Sequence, residues 1–394
     1  MSALNQIGAV TAMNLRNIPR RMGSSSVIVI GIAGVVGVIV AVFGMTRSLS
    51  QALVDTGRPD RAIVLRSGAQ NEVSSTLLVD AIATIKNAPG IARTSTGDAA
   101  ASAEMLASVD LIRREDAAQA PVGVRGVEPT SAMIRPEVKL TDGRMFQPGL
   151  REMIVGRGAH TEFKNLEIGD HVGLRDSQWT IVGVFESGGD ANESRLLTDS
   201  QTLMSAYKRT AANAVTVLLA SESSFDDFKT ALTTNPALSV SVERERDYYQ
   251  RQSENANTFF DLVTTFVGVI MALGALFGAL NTMYSAVSAR TVEIATLRAI
   301  GFGAGGVVSS VLAEALLLSL TGALLGAGVA WLLFNGNTVG IGNNVGTLVF
   351  QMHITPALLG SGVLLACIVG LLGGLLPALR AARMPVATAL RATA

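Results

Sequence analysis

A chain of 394 residues in which 49% are hydrophobic, 16% charged and 40 are glycine has the composition of closely packed membrane spans, not of an ordinary soluble enzyme. Its formal net charge is zero, and its basic residues form no single large positive stretch, which excludes a nucleic-acid-binding protein. The one cysteine, Cys367, lies in an apolar run and permits no intrachain disulfide, while His160, His171 and His353 stand far apart without partners at metal-ligand spacing.

From the N-terminus, residues 3–20 place Leu4, Ile7, Val10 and Met13 near one helical face and gather Arg16 and Arg20 at its end. Residues 1–26 therefore read as an elbow helix lying on a bilayer surface. A first span follows at 27–46: Val27–Met45 is uncharged, longer than a signal-peptide core, and leads to no well-placed small-residue cleavage site. Residues 47–257 have the patterning of a folded α+β domain. Apolar, β-branched runs predict strands at Ala62–Leu65, Val122–Val127, Trp179–Phe185, Val215–Leu219 and Leu238–Val242. Leu78, Ile82 and Ile85 predict a helix over Glu72–Asn87, ended by Pro89-Gly90; Phe225, Phe228 and Leu232 predict another over Ser224–Asn235. Each helix has a strand before it and apolar residues after it, giving two βαβ-like halves. The glycine-rich middle, 137–205, reads as a β-rich insertion between them, with Glu186–Arg195 as an exposed loop.

Glu243–Asn257 is polar and runs without a breaker into a second span, 258–289. The uncharged stretch before Arg290 would measure about 42 Å as a helix against a core of ~30 Å, so the helix should project beyond the membrane. A short charged turn, 290–304, leads to a third span at 305–334. Glu314 is the one ionisable group well inside a span, and intramembrane carboxylates are costly. Both interhelical hydrogen bonding and a role in substrate passage are open to it. An outer loop at 335–356, a fourth span at 357–377 and a tail at 378–394 complete the chain.

Small-xxx-small patterns at Gly274–Gly278, Gly322–Gly326 and Gly370–Gly374 mark faces where helices could approach closely in lipid. Orientation follows from the short flanking segments. The N-terminal segment, the turn with Arg290 and Arg298, and the tail with Arg380, Arg383 and Arg391 are basic, whereas 335–356 carries no charge. Both termini should face the cytoplasm, with the 47–257 domain outside.

A phosphate-cradling loop needs Gly-Lys-Ser/Thr. The lysines are Lys86, Lys139, Lys164, Lys208 and Lys229, and none follows a glycine. Nucleophile-elbow and zinc-protease motifs are likewise missing, so any ATPase motor is expected in a separate chain.

The segment Ser288–Phe302, SARTVEIATLRAIGF, resembles the R-x-x-E-I-x-x-L-R-A-x-G signature of FtsX-like, MacB-type ABC transporter permeases. Its matching positions are Arg290, Glu293, Ile294, Leu297, Arg298, Ala299 and Gly301. A second likeness lies in Leu376–Ala392, through Pro377, Ala378, Ala381, Ala382, Pro385, Ala389, Leu390 and Arg391. Thr141–Phe146, Ile168–Val172 and Trp179–Val184 are similar to the β-rich insertion of that family's periplasmic domain.

The resemblance implies a four-helix permease with an α+β extracytoplasmic domain, set in an inner membrane; the lack of a fused ATPase domain is a departure from the MacB exporter of that family, which carries one. Arg290, Glu293, Ile294, Leu297, Arg298 and Gly301 would then belong to the coupling helix that docks on the ATPase. Two ABC ATPase subunits, binding ATP and Mg²⁺, and a second permease copy or paralogue are the implied partners. An adaptor and outer-membrane channel would join them for efflux. No cofactor or metal is expected on this chain itself. Export by mechanotransmission is the leading expectation; extraction of lipids or lipoproteins from the outer leaflet and activation of an extracytoplasmic hydrolase are the alternatives.

Overall fold

The computed structural model describes residues 22–300, 303–343 and 346–383. The elbow expected over 1–26 (except its last five residues), Gly301, and the tail beyond 383 lie outside the described residues. The chain divides into two compact units, one drawn from 1–46, 259–336 and 353–394, the other from 47–258 with 337–352.

Among the described residues, four helices are long and apolar enough to cross a membrane. In chain order, α1 is Met22–Thr56, followed by β1 Arg61–Arg66, β2 Leu77–Leu78, α2 Val79–Lys86, β3 Ala101–Ile112 and β4 Gln119–Val127. Next come α3 Ser131–Ile134, β5 Lys139–Gly143, β6 Glu152–Gly156, α4 Arg157–Glu162, β7 His171–Leu174, β8 Ser177–Glu186, β9 Arg195–Asp199 and α5 Ser200–Ala206. Then β10 Ala211–Ala212, β11 Ala214–Leu218, α6 Phe225–Thr233, β12 Val240–Arg244 and α7 Glu245–Ala289. The chain ends with α8 Thr291–Ala299, α9 Ala304–Phe334, β13 Thr338–Asn343, β14 Gly346–Gln351 and α10 Pro356–Arg383.

The second spanning helix is continuous for 45 residues from Glu245, so the polar stretch before the span does extend it. The first also outruns its expected end and stays helical through Arg47 to Thr56. Hydropathy measures the length that lipid requires; helix length runs on until a breaker, here Gly57. That glycine is close against the start of α7, where a Cβ would sit 2.6 Å from the Glu245 carbonyl oxygen. Ser50 and Ser253 add a hydroxyl–hydroxyl bond of 2.7 Å between the outer turns of α1 and α7.

Within the spanning unit, Ile28, Ile32, Val36 and Val40 of α1 pack with Ala315, Leu318, Ala323 and Ala327 of α9 and Leu358 and Ala366 of α10. Since lipid tails are as apolar as these side chains, close backbone approach must hold the bundle. Gly322 and Gly326 supply it: a Cβ on Gly322 would lie 2.7 Å from the Val29 carbonyl oxygen, and one on Gly326 would strike Ala33. Gly370 faces Ser319, and a Cβ on Gly374 would lie 2.7 Å from that of Ala315. The third expected pair makes no close approach within this chain. Gly274 and Gly278 have nothing within 4 Å among the described residues, and α10 meets α7 through Gly373, against the Ala279 methyl.

In the other unit ten strands form one sheet, β12-β1-β11-β3-β4-β9-β6-β8-β5, with β7 paired to β8. β1 and β3 both run antiparallel to the β11 between them, while β11 and β12 flank β1. The two βαβ-like halves are thus split and interleaved. Strand alternation sorts their side chains. Ala62 and Val64 face a core with Ile85 of α2 and Phe225, Phe228 and Leu232 of α6; Ile63 and Leu65 face Tyr248 and Tyr249 of α7. The insertion continues this sheet through β9, which joins β4 in parallel register. Its own core gathers Phe163, Leu166, Trp179, Ile181 and Leu196.

Three expectations change here. The Glu72–Asn87 helix shrinks to Val79–Lys86, because Leu77–Leu78 pair with Ala211–Ala212 and Glu72 is drawn into a buried ion pair. The Glu186–Arg195 loop is largely buried, with Asp190, Asn192 and Ser194 all under 4% exposed. The uncharged 335–356 loop forms the β13–β14 hairpin, and its Val349 joins the core around Trp179.

Candidate functional site

The segment expected to couple to an ATPase begins at the end of α7. After Ala289 the chain breaks at Arg290, with φ −108°, and restarts as α8. Ile294 and Ala295 are buried, Ile294 against Val287, Val307, Val311, Ala378 and Ala381. Val292 and Ile300 are exposed, and Glu293 and Arg298 are half-buried. Leu297 lies in the helix; Gly301 lies outside the described residues.

Arg290 departs from its place in the docking set. Its guanidinium is buried, and Nη1 and Nη2 donate to Glu314 Oε2 and Oε1 at 2.8 and 2.9 Å. The pair accounts for the intramembrane carboxylate: an isolated charge in a span is costly, whereas a bidentate pair is neutral as a unit. It also fixes where α8 leaves the bundle, since Arg290 is the residue before the helix. A cavity of about 10 Å³ adjoins the pair, lined also by Ser25 and Thr282, with room for one water.

The opposite end of α7 is anchored more elaborately. Glu245, its first residue, accepts from Arg135 at 3.1 Å and forms an ion pair with Arg61 at 3.2 Å. Arg61 also meets Glu137 at 2.7 Å. Arg135 continues to Glu104, Glu104 to Arg125, and Arg125 to Glu72 at 2.8 Å. Three guanidiniums thus alternate with four carboxylates, linking β1, β3, β4, the start of the insertion and the stalk helix. The Glu72 amide donates to the Tyr248 hydroxyl one turn further along α7.

The carboxylates respond differently. Burial pushes Glu104 towards its neutral form, but Arg135 and Arg125 outweigh it and hold the carboxyl below the ordinary carboxylate range. At Glu245 burial prevails over Arg135 and Arg61, with Glu104 adding repulsion, so its carboxyl is pushed up. Burial likewise raises the Tyr248 hydroxyl.

Such a network contributes little net stability, because desolvation offsets attraction; it specifies geometry. Sequence reading missed it, since its members are scattered from Arg61 to Glu245. One signal was present: Glu104 in ASAEMLAS and Arg125 in VGVRGV interrupt otherwise apolar strands. The histidines serve local contacts, His160 with Glu167 at 3.0 Å and His171 with Thr180 at 3.2 Å.

The family model for the MacB-like periplasmic core domain matches residues 24–235, and that for the FtsX-like permease C-terminal matches 265–386. An uncharacterized ABC transporter permease, YknZ of Bacillus subtilis (strain 168), is 30% identical over 138 residues, covering 33% of this chain and 32% of that protein. A macrolide export ATP-binding/permease protein MacB of Hahella chejuensis is 26% identical over 228 residues, covering 55% of this chain and 34% of its own length. This chain therefore spans about a third of these curated relatives. Among solved structures, the extracellular domain of the noncanonic ABC-type transporter YknZ from Gram-positive bacteria aligns with a TM-score of 0.35 at 16% identity, covering 46% of this chain and 99% of that one. The periplasmic region of MacB from Actinobacillus actinomycetemcomitans aligns at 0.38 and 12%, covering 50% and 93%.

Proposed function

We infer the function of this chain from its family: it belongs to the ABC transporter permeases that join a MacB-like periplasmic core domain to an FtsX-like permease C-terminal region. Its part is that of the membrane component, and ATP with Mg²⁺ is bound and hydrolysed on a separate ABC ATPase. Two ATPase subunits and two permease copies make the working assembly. The membrane is the cell's inner membrane, with both termini in the cytoplasm and the 47–258 domain outside. ATP binding draws the ATPases together, α8 moves with them, and the long second helix carries the movement to the outer domain, where export takes place.

The observation that carries this reading is α7. It is one unbroken helix from Ala289, beside the coupling segment, to Glu245, whose carboxylate is held in the buried ion chain. A helix of 45 residues is about 67 Å long, enough to cross a bilayer core and project well past it. Pinned at its outer end, it converts displacement at α8 into displacement of the sheet.

Co-purification with co-expressed partners tests the assignment. An ABC ATPase chain should accompany the wild-type protein and be lost from a folded Glu293→Ala/Arg298→Ala variant. Unchanged association would overturn docking through α8. A captured adaptor supports efflux, whereas a bound lipoprotein or hydrolase would replace export by extraction or activation.

A further inference from the structure

Four covalent connections join the spanning helices to the outer domain: α1, α7 and the two arms of the β13–β14 hairpin. The ion chain anchors α7. The loop between β8 and β9, residues 187–194, bonds the end of α1 and the β14 arm of the hairpin.

This loop is tied to itself before it touches anything else. Gly188 and Gly189 take φ of +86° and +82°, a conformation that side-chain-bearing residues rarely adopt. That turn lets the Glu193 carboxylate fold back and accept from the Ser187 and Gly189 amides at 2.7 and 2.8 Å. Asp190 accepts from the Asn192 amide at 2.9 Å and from the Ser187 hydroxyl. Gly156 lies so close to the Glu193 main chain that a Cβ would strike it. The loop is therefore a rigid, buried block, not a connector free to adapt.

Two hydroxyl groups fasten the block to the incoming segments. The Ala191 amide donates to Thr56 Oγ1 at 2.9 Å, while that hydroxyl donates to the Ala52 carbonyl at 2.8 Å and so belongs to the last turn of α1. Three residues on, Ser194 Oγ accepts from the Val349 amide at 2.7 Å and donates to the Val349 carbonyl at 2.8 Å. One serine side chain thereby satisfies both main-chain groups of a residue in β14, as a neighbouring strand would. Thr56 and Ser194 are each only 1% exposed, so water cannot readily replace either bond.

We propose that residues 187–194 form a clasp, with Thr56 and Ser194 as its positioning residues, that makes the outer domain follow α1 and the hairpin of the third and fourth spans as well as α7. The proposal rests on the mechanotransmission reading and extends it. Movement enters the outer domain at two points: the ion chain for α7, and the clasp for α1 and the β14 arm, with β13 following as the partner of β14. An outer domain held only by α7 could swivel about that helix; held at both points, it moves as one body.

The test uses the full chain co-purified with its ATPase, in lipid nanodiscs, on a Cys367→Ser background. Spin labels at Thr338 in the hairpin and Asp226 on α6 report whether the hairpin stays fixed to the domain. Labels at Asp226 in both permease copies report movement of the outer domains with nucleotide. In wild type the Thr338–Asp226 distance should be narrow and unchanged by ATP, while the distance between copies changes. In Ser194→Ala/Thr56→Val, ATP turnover should stay within about twofold of wild type. The Thr338–Asp226 distribution should broaden, and the nucleotide-driven change between copies should fall by more than half; Thr56→Ser, which keeps the hydroxyl, should behave as wild type. A double variant that keeps both the narrow distribution and the full nucleotide response overturns the clasp. A wild type with no nucleotide response overturns mechanotransmission instead, and the Thr338–Asp226 comparison still reports on the clasp. Should the double variant not fold, Ser194→Ala alone should broaden the Thr338–Asp226 distribution, and Thr56→Val against Thr56→Ser should show the loss of nucleotide response.

Discussion

In the spanning helices one arginine, Arg290, meets one carboxylate, Glu314, through two parallel hydrogen bonds. In the outer domain three arginines are shared among four carboxylates along a chain from Glu137 to Glu72. Both arrangements bury charge at an end of α7, but their surroundings differ. The pair in the spanning unit has no second ion-pair partner among the described residues, so it is complete in itself. A chain built on strands can pass one guanidinium between two acids, and each internal member then fixes two elements at once. The pair sets where α8 begins; the chain sets how the stalk helix joins the sheet.

The sharpest way to break this contrast is to remove one member of each. Glu314→Ala should destabilise the spanning unit by about 3–5 kcal/mol, because Arg290 is left buried and unpaired. Glu245→Ala should cost the outer domain a similar amount, since Arg61 and Arg135 both lose a partner. Glu72→Ala, at the end of the chain, should cost only about 1–3 kcal/mol, because Arg125 keeps Glu104. Denaturation of the full chain in detergent, followed by proteolysis of each unit, ranks the three; equal losses at Glu245 and Glu72 would show that the chain does not share its charges. The combined Arg290→Met/Glu314→Leu change should be near neutral, as an apolar replacement of the whole pair removes the desolvation cost with the attraction.

Acidity sharpens the comparison within the chain. Glu104 is held down by its two arginines, so its contribution is present above the unfolded carboxylate value near 4.5 and is lost as pH falls through its lower folded value. Glu245 is pushed up, so its contribution has the opposite sign: fully present below about 4.5 and lost as pH rises through the folded value. Melting temperatures should therefore rise on mild acidification from neutral pH and fall again in stronger acid. Glu245→Gln should reduce the rise, and the remainder comes from Asp190 and Glu162, whose carboxyls burial also pushes up. An undiminished rise in that variant would exclude Glu245 as a source.

The smallest effects concern the glycines. Gly326→Val should disrupt the packing of α1 on α9, because its Cβ would strike the Ala33 main chain. Gly274→Val should alter the stability of the single chain by no more than about 0.5 kcal/mol, since open space surrounds it. If size-exclusion chromatography shows Gly274→Val weakening self-association, that open face is covered by a second copy.

Much of the architecture was legible in local pattern. Hydropathy marked four spans, all of which are helices, and the unbroken polar run before Asn257 announced the long α7. Val122–Val127 and Trp179–Phe185 lie inside strands, and Phe225, Phe228 and Leu232 are the buried face of α6. The signature around Glu293 located α8, although it offered Arg290 as part of a docking surface when the side chain is turned inward. Misreadings fell where partners are distant in sequence. Glu72 looked like the start of a helix because its arginine is 53 residues away. Glu186–Arg195 looked like solvent-exposed polar loop because its acids are satisfied by groups of the loop itself, and its Ala191 amide and Ser194 hydroxyl bond the distant Thr56 and Val349.

By itself, then, the sequence determined which segments are apolar enough to cross a membrane, which alternate as strands, and where a short helix interrupts the bundle. Those properties depend on the solvent each residue prefers and on periods of two and 3.6 residues, which neighbouring residues carry. Only the tertiary structure decided which buried charges meet, which glycines touch a backbone, and that the loop between the last two spans belongs to the outer domain. Such pairings join residues far apart along the chain, and a polar side chain that is satisfied inside has the same identity as one left in water.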